Sequence, residues 1–440
     1  MPPRPSDHPV GFRRPGPLAA GTLALLVGLA GCTRPDASEN TITYGFWGTV
    51  EQQKNERAVI EAFEAANPGV RVVAQPFPGT SMRYNDKMQA MLVGQVAPDV
   101  IMIEAARYDE WRVRGVLADL TAEVESLGRE YELMPVVRQA FMRDGRFYAA
   151  PINAHGYVTY FNRTALAAAG LELPAGGITW EWLLEVAPRL SRRADQPSAP
   201  TDYAMQLPFP TMIFWAYGGR IFDDLYRPTR ATVNTPAGQA AVDYLRRAIA
   251  PGTILPPDIG AMAADHGTFQ LFRDGKIAFF FSGRWITPDL LGVRDFSWDV
   301  RPIPRGPAGA ISQHGGTLLG LWTGAKNPEL ARRFIRFYAS AEGTRRVMTG
   351  RRYVPVYRQL AYGPEFLALT PPQSLRVYSD TMEAGASLFY LYAPGLGEVK
   401  RLFDSAMEKA MIRPEIPATR ILADLEAELN HWLQENPPPP

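Results

Sequence analysis

The chain has 440 residues, 46% of them hydrophobic and 11% aromatic, the make-up of a well-packed globular protein long enough for two domains. Lysine plus arginine (46) nearly cancel aspartate plus glutamate (45), which excludes the strongly basic field of a nucleic-acid binder and a polybasic tract for anionic lipid. A single cysteine excludes an intramolecular disulfide, so the fold has to rest on its core.

In chain order, residues 1–17 are polar and proline-rich, with Arg4, Arg13 and Arg14 as the positive charges, and an apolar run follows over 18–29. This is the layout of a secretory signal peptide. Twelve apolar residues are too few for a membrane-crossing helix, which needs about 20. The run ends in Leu29-Ala30-Gly31-Cys32, which resembles the bacterial lipobox, where the cysteine thiol is acylated and becomes the new N-terminus. The competing reading of Cys32 is a small buried core residue. Two or three acyl chains give stable attachment where one gives marginal binding. The expectation is a signal peptide over 1–31, a lipidated tether over 32–37, and an exported protein, periplasmic or at the cell surface, anchored through Cys32.

Residues 41–47 (TITYGFW) alternate like a strand, and in the helical pattern that follows Val59, Ile60 and Phe63 share a face until Asn67-Pro68-Gly69 stops it. A strand at 70–75, a helix at 81–93 and a strand at 98–103 continue the alternation, which predicts a parallel sheet with crossover helices. Two extended pieces occupy 146–162, and helices are expected to dominate 164–250. Strands are predicted at 275–283 and 298–304, a helix at 328–339 and amphipathic helices from 397 to the tail. There is no internal repeat or heptad run.

Taken in order, ITYGFWG, VIEAFEAANPGVRV, APDVIMIE, FYAAPINAHGYVTYFNRTALAAAGL, TWEWLLEVAPRL, GKIAFFFSGRW, WDVRPIPRGPAG and NPELARRFIRFYASAEG resemble the bacterial extracellular solute-binding proteins of family 1, which deliver sugars to ABC importers. The resemblance implies an α/β, two-lobe periplasmic-binding-protein fold of type II, maltodextrin-binding-protein-like, with a hinge and a ligand cleft between the lobes. By that resemblance the N-lobe is 38–152 plus 305–339 and the C-lobe 153–304 plus 340–440. It also implies a monomer that meets the transmembrane permease subunits of an importer, with no cofactor, no metal and no catalysis.

A sugar offers apolar C–H faces and a rim of hydroxyls, so its site needs aromatic plates and polar groups. Trp47 follows the first strand, and Glu104 and Arg107 follow the third, at the strand ends where open α/β sheets bind ligands. Glu104 can accept from two hydroxyls; Arg107 can donate to one or pair with Glu104. The alternative for both is a solvated helix start. Asn153 and His155 fall on the crossing strand, where the resemblance places a ligand-contacting polar residue. Phe209, Trp215 and Tyr217 precede a glycine pair, and their alternative is a core helix. Trp285, in SGRW, matches the aromatic that stacks on sugar in the family, although Arg284 stands where many members carry proline. Gly315 and Gly316 suit a backbone that approaches ligand closely. Tyr353 resembles a late pocket aromatic, and Tyr390 and Tyr392 are weaker candidates.

An enzyme such as a glycoside hydrolase needs two carboxyls across the scissile bond, and Glu104 has no evident partner in the sequence. The common catalytic signatures G-x-S-x-G and H-E-x-x-H, the phosphate-binding loop and the dinucleotide fingerprint are absent. A structural or adhesive lipoprotein is the third reading. Within the binding class, carriers of glycerol 3-phosphate or of another polyol or sugar phosphate are the alternative to a neutral mono- or oligosaccharide. No late arginine for a phosphate is evident near APGLGEV, so the neutral saccharide is preferred.

Overall fold

A computed structural model describes residues 40–79, 81–193, 195–224, 227–255, 266–384, 388–389 and 396–437. The expected signal peptide, Cys32 and its tether, and Tyr390 and Tyr392, lie outside the described residues.

The strands run β1 (Thr41–Gly48), β2 (Arg71–Pro78), β3 (Val100–Glu104), β4 (Ala150–Gly156), β5 (Val158–Asn162), β6 (Tyr203–Gln206), β7 (Ile254–Leu255), β8 (Ile277–Ser282), β9 (Trp298–Arg301), β10 (Gln313–Leu321) and β11 (Leu388–Phe389). They build two sheets. The first has the order β11-β10-β3-β1-β2, with β4 also paired to β10; the second has the order β7-β6-β8-β5-β9.

Local chemistry explains the opening units. The helix Val50–Ala66 starts at a capping box, Thr49 with Gln52, and buries Glu56, Val59, Ile60 and Phe63 on the face its periodicity predicts. Asn67 closes it through a side-chain amide on the Phe63 carbonyl, 2.8 Å away. β1 then pairs in parallel with both β2 and β3, as strand–helix alternation requires. The sheet is mixed beyond that point, because β10 lies antiparallel to β3 and to β4.

Two elements depart from the sequence reading. β6 interrupts the stretch expected to be helical, and at four residues it is too short to leave a periodic signal. β10 is nine residues long and buried throughout, but Gly315, Gly316 and Gly320 dilute the β-branched and aromatic signature of a central strand.

Two cores form. The first collects residues such as Tyr44, Ile101 and Leu318, extends through Phe366 and Tyr378 to Met382, and takes in Tyr160, Ile277 and Phe280 on one face of the second sheet. The second collects one face of β8 and β5, with Ala278, Phe279 and Phe161, and resumes at Val399 in the C-terminal helices Leu396–Ile412 and Ala418–Glu435. Those helices pack on Pro236–Ile249.

This partition differs from the expected lobe boundaries. β4 stays in the first sheet through Gly156, so the passage between sheets is at Tyr157 rather than after residue 152. Arg305 bridges Thr179 and Ala310 packs on the second core, so the return to the first sheet comes at Gln313 rather than at 305. Residues 341–382 belong with the first core: the helix Ala341–Met348 packs on Val50–Ala66, and Leu133 pairs with Tyr357. Residues 341–357 therefore do not pack in their expected place in the C-lobe, whereas Ser374 and Tyr378 also reach the second sheet, at Asp299 (2.9 Å) and Tyr160 (2.6 Å).

Candidate functional site

Trp47, next to last in β1, stands opposite Phe77 of β2, and its ring lies 5.1 Å from that of Tyr84. Tyr84 also meets Phe77 edge-on at 5.3 Å and donates its hydroxyl to the Gly45 carbonyl at 3.1 Å. The next residue, Asn85, is buried and donates its amide to Oε2 of Glu104, 2.9 Å away. Tyr84 and Asn85 thus tie Trp47 to Glu104 through a single helix, Ser81–Val93.

Glu104 ends β3 and stands opposite Thr317 of β10, while Thr317 on its other side stands opposite Asn153 of β4. Directly opposed residues leave a sheet on one face, so Glu104, Thr317 and Asn153 form a polar row across three strands. Asn153 is buried, and its Oδ1 has no hydrogen-bond partner among the described residues. A buried carbonyl oxygen in that state is free to accept from a hydroxyl.

Two residues beyond Asn153, and so on the same face of β4, His155 sets its ring 4.8 Å from the indole of Trp285. Burial lowers the His155 pKa to about 4, so the ring is neutral at pH 7. Tyr157 meets the same indole edge-on at 5.4 Å and meets Phe209 at 5.6 Å. The ammonium of Lys400 lies over Phe209 at 5.6 Å. Trp285 is half-buried and packs against both cores. Its indole folds back over Gly283, where any side chain would overlap the ring.

Trp47, Glu104, Asn153, His155, Trp285 and Phe209 therefore form one track, polar on the first sheet and aromatic where the chain passes to the second. Other expected residues fall elsewhere. Arg107 pairs with Glu110 at 3.0 Å, three residues along its own helix, and not with Glu104. Trp215 is 4% exposed within the second core. Tyr217 donates to Glu181 at 2.7 Å, beside the Glu181–Arg247 ion pair, an outward-facing network. Gly315 and Gly316 do not open space for a ligand: His155 covers the first, and the carbonyl of Asn153 lies 2.7 Å from where a Cβ on the second would stand. Close strand packing explains both. Tyr353 is half-buried against the first core, its pKa pushed above its usual value by burial and then by the Glu56 carboxylate.

Tyr84, Asn85, Thr317 and Gly283 escape the sequence reading. Only strand register and helix placement bring them to the site, although Gly283 in SGRW was open to being read with its tryptophan.

A cavity of about 390 Å³ lies apart from this track, lined by Leu173, the Gly176-Gly177 turn, Arg301 and Arg305. It holds none of the aromatic plates that a sugar face needs. Glu104 faces an amide, not a second carboxylate, and among the described residues no cluster of histidine, cysteine and carboxylates could hold a metal ion.

The sequence model of the bacterial extracellular solute-binding proteins matches residues 47–345. The chain belongs to that family. This solute-binding protein is similar to the arabinooligosaccharide-binding protein of Halalkalibacterium halodurans, 23% identical over 286 residues that span 62% of this chain and 61% of that one. It is 25% identical over 415 residues to an uncharacterized lipoprotein of Streptomyces antibioticus, covering 85% and 86% of the two chains. Among solved structures, an ABC substrate-binding protein of Listeria monocytogenes in complex with cycloalternan superposes with a TM-score of 0.75 at 20% identity, over 90% of this chain and 99% of that one. UgpB of Mycobacterium tuberculosis in complex with glycerophosphocholine gives 0.72 at 21% identity, over 89% and 98%. The solute-binding protein therefore has the two-lobe, maltose-binding-protein-like fold. Its family and structural neighbours are binding proteins and not enzymes.

Proposed function

We propose that the protein captures a mono- or oligosaccharide between its lobes and hands it, unaltered, to the permease of an ABC importer. The track from Glu104 through Thr317 and Asn153 to His155 and Trp285 supports this reading, because it pairs hydroxyl-binding groups with an indole plate at the passage between sheets. Within it Trp285 and Phe209 supply the apolar plates, Glu104 and Asn153 accept from sugar hydroxyls, and Trp47 closes the far end. The protein is exported behind a signal peptide over 1–31 and held at the membrane by acylated Cys32. The lipoprotein name carried by the Streptomyces relative agrees with that anchor. Cys32→Ala should abolish incorporation of a palmitate analogue in the producing cell; labelling that persists would remove the anchor.

The test of function is a thermal-shift screen of the soluble chain against arabino-oligosaccharides, maltodextrins, cycloalternan, glycerol 3-phosphate and glycerophosphocholine. A ligand at 100 times its dissociation constant adds about 2.7 kcal/mol of stability, a readily measured rise in melting temperature. A carbohydrate hit recovered chemically unchanged supports transport binding. A hit among the phosphates alone would reassign the ligand, and conversion of any of them would make the protein an enzyme.

A further inference from the structure

Two buried arginines stand immediately before two of the aromatic residues considered above. Arg284, which has no exposed surface, precedes Trp285, and Arg352, 8% exposed, precedes Tyr353. Their side chains cross. Nη1 of Arg284 donates to the carbonyl of Tyr353, and Nη1 of Arg352 donates to the carbonyl of Trp285 at 2.7 Å. Each arginine thus holds the peptide of the aromatic that follows the other.

The two segments have different supports. Arg284 and Trp285 follow β8 of the second sheet. Tyr353 precedes Val354, which is bridged to Ala154 of β4, while the Val356 carbonyl accepts from the Met134 amide. Further contacts fix the pair: the Arg284 guanidinium lies 4.5 Å over the ring of Phe366, and Nη2 of Arg352 is 3.5 Å from Asp289.

Stability does not account for Arg284. Its Nε and Nη2 have no hydrogen-bond partner among the described residues, and no carboxylate pairs with it there. Burying a guanidinium on such terms is unfavourable, and a well-packed apolar side chain of similar volume often does better. What arginine offers is a rigid, directional donor fork.

We propose that Arg284 and Arg352 form a reciprocal clasp across the lobe boundary that fixes the Trp285 indole before ligand arrives, which makes them positioning residues for carbohydrate binding. This rests on the ligand-site reading above. The indole sits against His155 and Tyr157, at the passage of the chain from one sheet to the other, where lobe rotation displaces atoms least. A plate held there in advance loses little freedom on binding, so more of its contact energy appears as affinity.

The test uses the soluble chain labelled with 5-fluorotryptophan, the Trp285 resonance being assigned by Trp285→Phe. Arg284→Met and Arg352→Met should each shift and broaden that resonance while leaving those of the core residues Trp111 and Trp180 in place, and Arg284→Met should not lower the melting temperature. With arabinotriose and cycloalternan as probes, each variant should bind the recognised sugar about tenfold more weakly, with no further loss in a Trp285→Ala background. Arg352→Lys, which keeps one donor for the Trp285 carbonyl, should fall between wild type and Arg352→Met, and it serves as the measured variant should the methionine form not fold. An unmoved Trp285 resonance, or an equal loss of affinity once Trp285 is gone, overturns the clasp. If neither sugar binds the wild type, the carbohydrate reading fails for these probes while the fluorine spectra still decide whether the arginines hold the indole.

Discussion

Glu56 is a carboxyl group almost wholly removed from water, accepting from the hydroxyls of Tyr44 at 2.8 Å and Tyr338 at 2.9 Å. Burial raises its pKa from 4.5 to about 7, against the lowering effect of those two donors. Between these two values the folded protein holds a proton that the unfolded chain releases, so this group's contribution to stability is full below pH 4.5 and is lost as pH rises to 7. His155 and His314, lowered by burial to about 4 and about 3, act in the opposite sense and withdraw stability as pH falls below 6.5. A difference curve isolates the carboxyl. The melting temperature of Glu56→Gln minus that of wild type should climb from pH 5 to about pH 7 and level off above it, and parallel curves would contradict the shifted titration.

Trp285 can be tested as directly. Removing an indole plate loses apolar contact at about 25 cal/mol per Å² as well as stacking geometry, so Trp285→Ala should cost about 2 kcal/mol of binding, near thirtyfold in affinity. Calorimetry with the sugar found by screening measures this, and unchanged affinity would make the tryptophan a packing residue only. Gly283→Ala should reproduce much of the loss by displacing the indole that lies over it.

The first three strands and the helix Val50–Ala66 were legible because both periodicities are clean there and each helix end has its own chemical stop. β10 was not legible, since a strand buried on both sides and carrying three glycines shows no alternation and has Thr317 as its one β-branched side chain. That loss hid the site's polar row: Thr317 meets Glu104 and Asn153 only through the register of β10. The sequence reading put forward His155 and Trp285, whose rings lie 4.8 Å apart, and also Trp215 and Tyr217, whose surroundings depend on how the helix Pro210–Ala216 rotates against its neighbours. The glycines of β10 are accounted for by packing. Gly316→Ala would press a methyl group on the Asn153 carbonyl, a fixed backbone atom, and overpacking of this kind costs about 1–3 kcal/mol. Denaturant unfolding should show that loss as a lower midpoint at unchanged slope; a neutral result would mean that β10 and β4 are less tightly joined than their register indicates.

The second core covers one face of the second sheet, the first core reaches from the first sheet to the other face of the second through Tyr160, Ile277 and Phe280, and Trp285 packs on both. The chain changes sheet with the single residue Tyr157 between β4 and β5, and changes back between β9 and β10. Short passages of this kind leave few backbone links to bend when two lobes rotate. The misplaced boundaries have the same origin: composition does not change where β4 runs past residue 152, and the 341–382 segment looks like any helical stretch until its contacts with the first core are seen. A ligand gripped by Glu104 and Asn153 on one side and by Phe209 and Trp285 on the other draws the lobes together, whereas a ligand held by one lobe leaves their separation unchanged. Small-angle X-ray scattering of the soluble chain, with and without a saturating amount of the sugar that raises its melting temperature, distinguishes the two. Capture between the lobes predicts a smaller radius of gyration with sugar, and an identical radius at full occupancy would contradict it.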